Sequence, residues 1–128
     1  MTSTLEVGKQ LVELCRAGEN RQAIEELYAD DAVAVEPVEG PDGRGRITEG
    51  KAALLESNDW FFGMIEMHGG EVDGPYPHDD RFICFMSIDM TMKEGPTAGQ
   101  RMQMKEACHY TVRDGEIARV EFYFDSEC

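Results

Sequence analysis

The sequence predicts an α+β fold in which three N-terminal helices lie on one face of a curved, mostly antiparallel sheet. Three observations carry that expectation. Apolar residues recur at helical spacing through much of the first half of the chain, and polar and apolar residues alternate through the second half. The links between the later strands are short enough to join antiparallel neighbours. Helices that come first, with strands grouped after them, are the order of an α+β domain rather than of an alternating parallel one. At 128 residues the chain is the size of one domain, 1–128, able to bury a core without a metal or disulfide.

Ser3 with Glu6 is a capping box, and Val7, Leu11, Leu14 and Cys15 then recur helically as far as Gly18, a plausible stop. Asn20 is placed to cap a second helix with Ala23, Ile24, Leu27 and Tyr28 as its stripe, ended by Ala29-Asp30-Asp31. Ala32–Glu36 has strand character and stops at Pro37, which has no N–H for a ladder and restrains the residue before it. Val38–Ile47 is rich in Gly and Pro and reads as a surface loop. Thr48 or Gly50 opens the third helix, which carries Leu54, Leu55, Phe61, Phe62 and Ile65, with Trp60 and Met64 alongside. A strand from Glu66 to Val72 carries His68, and Gly74–Asp80 reads as a rigid loop. Arg81–Met92 is a long strand, with Phe82, Cys84, Met86, Ile88, Met90 and Met92 on one face and Ile83 and Phe85 on the other.

Arg101–Phe124 reads as two strands joined by Asp114-Gly115, residues that tolerate the positive φ of a tight hairpin turn. Every second residue from Met102 (Met104, Glu106, Cys108, Tyr110, Val112) falls on one nearly dry face. Glu106 is the exception on that face. A carboxylate with apolar neighbours two residues to either side must be solvated by a cavity, paired, or held neutral.

Composition excludes several function classes. The formal net charge of −14 repels phosphate backbones and anionic lipid, so no nucleic-acid or membrane partner is expected. The apolar runs are too short to span a bilayer, and the N-terminus lacks a signal peptide's basic start and apolar core, which points to a cytoplasmic protein. Cys15, Cys84, Cys108 and Cys128 are far apart in sequence and read as reduced thiols. Neither they nor His68, His78 and His109 form a metal-ligand spacing, and no cofactor is expected.

LYADDAVAVEP after a helix pair, a long third helix and the closing YTVRDGEIARVEFYFD resemble the SnoaL-like polyketide cyclases and ketosteroid isomerase relatives. The resemblance implies the cystatin-like cone shared with nuclear transport factor 2, over nearly the whole chain. It also implies that Glu36, just before the proline that ends the first strand, is the carboxylate that shuttles a proton. The isomerase oxyanion donors are replaced by Leu11 and Cys108. The aspartate of related epoxide hydrolases is replaced by Phe122, and Ser87 stands where the arginine partner of Asp89 would be. That cone hosts isomerases, cyclases, dehydratases and plain binding modules alike.

The expected site is therefore Glu36 as base, Glu106 as proton-bearing second carboxylate and His68, in a pocket lined by Trp60, Met64, Met86, Met104, Cys108, Tyr110, Phe122 and Phe124. A carboxyl group with its pKa raised by an apolar pocket can take a proton from a carbon next to a carbonyl, while a neutral acid, His or Trp N–H stabilises the enolate. The expected ligand is a small apolar carbonyl compound, and the expected partner a second copy of the chain through the outer sheet face. Plainer alternatives stand beside these. Glu36 could face solvent, Glu106 could pair with Arg101, Arg119 or Lys105 or bond to Tyr110 or Trp60, and the cone could merely sequester a ligand or support a dimer.

Overall fold

The computed structural model describes residues 3–39 and 45–124. Ser3 Oγ accepts the Glu6 N–H at 3.1 Å and so caps α1 (Thr4–Arg16), as the Ser-x-x-Glu spacing requires. Val7, Leu11 and Val12 are the buried stripe of this helix. Gly8 lies on the same side because α1 approaches the sheet closely there: a Cβ at that position would sit 2.7 Å from Pro75 Cβ. Gly18, with φ of 77°, returns its N–H to Cys15 O and turns the chain into α2 (Asn20–Leu27), which buries Ala23 and Leu27. Asn20 is the first residue of α2 rather than its cap, and Glu19 in the cap position makes no side-chain bond.

Strand β1 (Tyr28–Val35) follows α2 without a linker. Asp30 and Asp31, expected to end the helix, lie instead inside this strand and face outward, where Arg113 pairs with Asp31. A second correction is β2 (Ile47–Glu49), a three-residue strand paired antiparallel to β1 in a stretch read as loop and helix start. It is too short to show an alternation. Residues 40–44 of the expected loop lie outside the described residues. Gly50, with φ of 91°, precedes α3 (Lys51–Met64).

Strand β3 (Ile65–His78) absorbs the segment expected as a rigid loop. It is one of the two edge strands, where proline need not donate to a ladder, and its register shifts between Met67 and Gly69 and between Asp73 and Tyr76 accommodate the irregular residues. Strands β4 (Arg81–Met92), β5 (Arg101–Arg113) and β6 (Glu116–Phe124) match the alternation, with Asp114 and Gly115 at φ of 54° and 79° in the closing turn. The sheet order is β2-β1-β6-β5-β4-β3; β1 and β6 are parallel and the other neighbours antiparallel. The three helices and six strands make an α+β fold.

The core joins the buried faces of α1 and α2 to one end of the sheet. Phe82, Cys84, Cys108, Tyr110, Ile117 and Val120 meet Val7, Leu11, Ala23 and Leu27 there. Phe82 and Tyr110, cross-strand partners, stack with centroids 4.7 Å apart. Among the described residues, no helix is long and apolar enough to cross a membrane.

Candidate acid-base site

Alternation along three strands brings two carboxylates to the helix-covered face. On β5 that face carries Met104, Glu106, Cys108 and Tyr110, and on β4 their direct partners Ile88, Met86, Cys84 and Phe82. On β1 it carries the buried Ala32 and Ala34, and the same alternation delivers Glu36, one residue past the strand end, to that side. The main chain of Glu36 is clamped by Arg46. Its N–H donates to Arg46 O at 2.7 Å, and its carbonyl accepts from Arg46 Nε at 3.0 Å.

Glu36 and Glu106 are both half-buried, and each has its pKa raised. For Glu36 the cause is burial. For Glu106 burial acts first and the negative charge of Glu36 second, and together they push its carboxyl up to about 7. The Cys108 thiol hydrogen-bonds Glu106 and pulls the other way. At neutral pH the pair therefore shares a proton, much of it on Glu106. The alternative partners Arg101 and Arg119 are engaged by Asp89 and Glu121 instead.

Beyond Cys108 the polar groups continue inward, since Tyr110 hydrogen-bonds both Cys108 and Tyr28. Burial raises the pKa of all three, so they are neutral at any ordinary pH.

Glu106 borders an open cavity of about 820 Å³, within the range of small-molecule pockets, to which Phe85, Ala107 and Tyr123, the alternate residues of the same strands, also contribute. Its wall includes one straight row across the sheet, Val72, Met86, Glu106 and Phe124, in which each residue is the direct partner of the next. Arg16, from the last turn of α1, closes one side. Of the expected lining, Met86 and Phe124 are on this wall; Trp60, Met64, Met104 and Phe122 are half-buried elsewhere in the fold. Cys108 and Tyr110 do not line it. They are 0% and 3% exposed, because Leu11 of α1, Phe82 of β4 and Tyr28 of β1 fill that end of the fold. Leu11 and Cys108, which replace the isomerase donors, are thus both core residues.

His68 is not part of the pair. It is exposed, with Nε2 2.6 Å from Thr91 Oγ1, and Thr91 lies on the opposite face of β4 from Met86. The reason is the register shift between Met67 and Gly69, which leaves His68 as the extra residue of a bulge turned to the outer face. Asp89 is outside as well, held bidentate by Arg101 at 3.0 and 2.8 Å. Alternation had pointed to neither Arg16 nor Val72, which border the cavity from a helix end and an edge strand. The Arg of a last helical turn was the only available signal for the first. Among the described residues, no group of three or more His, Cys, Asp and Glu could hold a metal ion.

A search of curated proteins finds no match. Among solved structures, a Mesorhizobium loti protein described as a candidate SnoaL-like polyketide cyclase is 37% identical, with a TM-score of 0.83 over 92% of this chain and 96% of that one. A candidate polyketide cyclase from Pseudomonas putida is 16% identical with a TM-score of 0.72, over 99% of this chain and 95% of the other. A Catenulispora acidiphila protein with a ketosteroid isomerase-like fold, solved with trimethylamine, is 18% identical with a TM-score of 0.68, over 92% of this chain and 84% of that one. The latter two speak to the fold alone. The SnoaL-like domain model matches residues 1–124, and with that coverage the chain belongs to the SnoaL-like family.

Proposed function

We propose that the chain is a cytoplasmic, single-domain acid-base enzyme acting on a small carbonyl compound, with Glu106 as the group that exchanges a proton with substrate. The observation that carries this reading is the coupled pair. Glu106 borders a largely apolar cavity with its carboxyl raised to about 7, and the charge of Glu36 helps to hold it there. A base with that pKa is poised for neutral pH. In its ionised form Glu106 takes the proton from the carbon next to the carbonyl, and the C–H electron pair moves to the carbonyl oxygen as an enolate. Returning the proton at another carbon isomerises the substrate; attack of the enolate carbon on a second carbonyl of the same molecule breaks that C=O π bond to an alkoxide, which takes the Glu106 proton and completes cyclisation; loss of a β-hydroxyl, which takes the Glu106 proton and leaves as water, is dehydration. This reading exchanges the roles expected from the resemblance, because Glu106 and not Glu36 borders the cavity: Glu36 is the second carboxylate, sharing the proton rather than meeting the substrate.

The test is substrate-independent. Exchange of the α-protons of simple ketones in D₂O is followed by NMR with the parent chain, Glu36→Gln and Glu106→Gln. The expected loss for Glu106→Gln is about 10²-fold or more, with parent exchange rising as pH passes 7. Equal exchange by all three proteins rejects the reading. A second reading, sequestration of a ligand without turnover, is favoured by the packing of Leu11 and Cys108, at the positions of the isomerase oxyanion donors, into the core, where neither faces the cavity. It expects apolar-ligand binding that survives both variants and no exchange above background.

We also propose a homodimer through the outer sheet face. Phe85, Ala107 and Tyr123 form a row there, with Tyr76 packed edge-on to Phe85 at 5.8 Å; Tyr76, Phe85 and Tyr123 are each about half exposed. Charges of both signs border this strip, with Glu71 and Lys105 in the row on one side and Glu121 in the row on the other, and suit a self-complementary contact.

A further inference from the structure

We infer that the ligand of the Glu106 cavity carries a carboxylate, received by Arg16. This rests on the reading of that cavity as a ligand site, and not on any step of catalysis. Arg16 and Arg46 differ from the other described arginines of this acidic chain in being held by a main-chain carbonyl rather than a carboxylate, and of the two only Arg16 borders the cavity. Arg21, Arg81, Arg101, Arg113 and Arg119 each face a carboxylate. Arg16 has none among the described residues and is instead anchored by the main chain: Nε and one terminal nitrogen donate to Val72 O at 3.1 and 2.8 Å.

That anchoring has two effects. It fixes the guanidinium plane against β3, so little of the entropy of a long side chain is left to lose on binding. It also uses only part of the five-donor fork, leaving N–H groups and an uncompensated positive charge. The position is on the cavity wall with Val72, Met86, Glu106 and Phe124. Its charge reaches the helix-covered face, where it favours the ionised form of Cys84.

Glu71, Asp73 and Lys105 also border the cavity; Asp73 already accepts the Tyr76 phenol at 2.7 Å, and neither acid pairs with Arg16. An anion entering a chain of net charge −14 needs a local cation, and the guanidinium fork matches a carboxylate in shape as well as charge. The ligand class is thus an apolar acid: a hydrocarbon or aryl body against Met86 and Phe124, a carboxylate at Arg16, and a carbonyl within reach of Glu106.

The probes are 4-oxo-4-phenylbutanoate and its amide, which differ in charge but little in shape. Their binding is measured by calorimetry at pH 6 and low salt, with the parent chain, Arg16→Gln, Arg16→Lys and Glu106→Gln. The expected result is a preference of the parent for the acid on the order of tenfold, lost in Arg16→Gln, partly kept in Arg16→Lys and kept in Glu106→Gln. Unchanged amide affinity in Arg16→Gln shows that the cavity is intact. If that variant binds neither probe, Arg16→Lys decides: a retained acid preference supports the inference and equal binding overturns it. Equal binding of the two probes by the parent, no binding of the acid at millimolar concentration, or a preference that survives Arg16→Gln also overturns it. Failure of the acid-base reading has a different signature, α-proton exchange that Glu106→Gln leaves unchanged.

Discussion

Replacing Glu106 by Gln should make the protein more stable at alkaline pH while removing its activity. The folded chain holds the Glu106 proton up to about pH 7, against an ordinary value of 4.5. Folding therefore binds a proton in that window, and stability falls as pH rises through it. The contribution is intact below pH 4.5 and lost above 7. At about 1.4 kcal/mol for each pKa unit the gap amounts to about 3 kcal/mol, an upper figure because Glu36 titrates with it. Gln keeps the shape and removes the charge. Thermal melts from pH 5 to 9 should show a parent melting temperature that falls by up to about 10 °C and a Glu106→Gln curve that is much flatter, the two lying closest at pH 5. If the parent and variant lines run parallel across that range, Glu106 has no raised pKa and the site loses its physical basis.

The thiol that bonds Glu106 gives a second expectation. Cys108→Ala removes a contact that lowers the Glu106 pKa, so the midpoint of the pH-dependent melt should move above 7, whereas Cys84→Ala, an equally buried neighbour, should cost similar stability and leave the midpoint in place; both are read from the same melts. For the outer face, sedimentation velocity at micromolar concentration should show a dimer for the parent and a monomer for Phe85→Glu with unchanged far-UV circular dichroism, and a monomeric parent refutes the dimer.

Period two was enough to find Glu106, because β4 and β5 pair without a break from Arg81↔Thr111 to Thr91↔Arg101 and every alternate residue keeps its face. Glu36 came instead from the family resemblance at the proline that ends the strand, and the phase set by Ala32 and Ala34 agrees with it. The same rule failed for His68, where one unpaired residue reverses the phase and the adjacent Gly69-Gly70 pair, the mark of a bulge, is the signal that period two ignores. It also overfilled the pocket. Cys108 and Tyr110 share the face of Glu106, but which part of a face is hollow depends on where α1 and α2 lie across it, and that is a property of the packing rather than of the strand. Arg16 was hidden for a related reason: its role comes from a main-chain carbonyl on β3, 56 residues away.

The seat of α1 on the edge strand sets more than the density of the core. With no side chain at Gly8 the helix rests directly on Pro75, and eight residues further on, a span of roughly 12 Å along its axis, the same rigid rod presents Arg16 at the cavity mouth. Any bulk introduced under the near end tilts the far end, so the aperture is governed from a point well removed from both carboxylates. Access and chemistry can then vary independently, one through a single methyl's worth of clearance and the other through the acids inside.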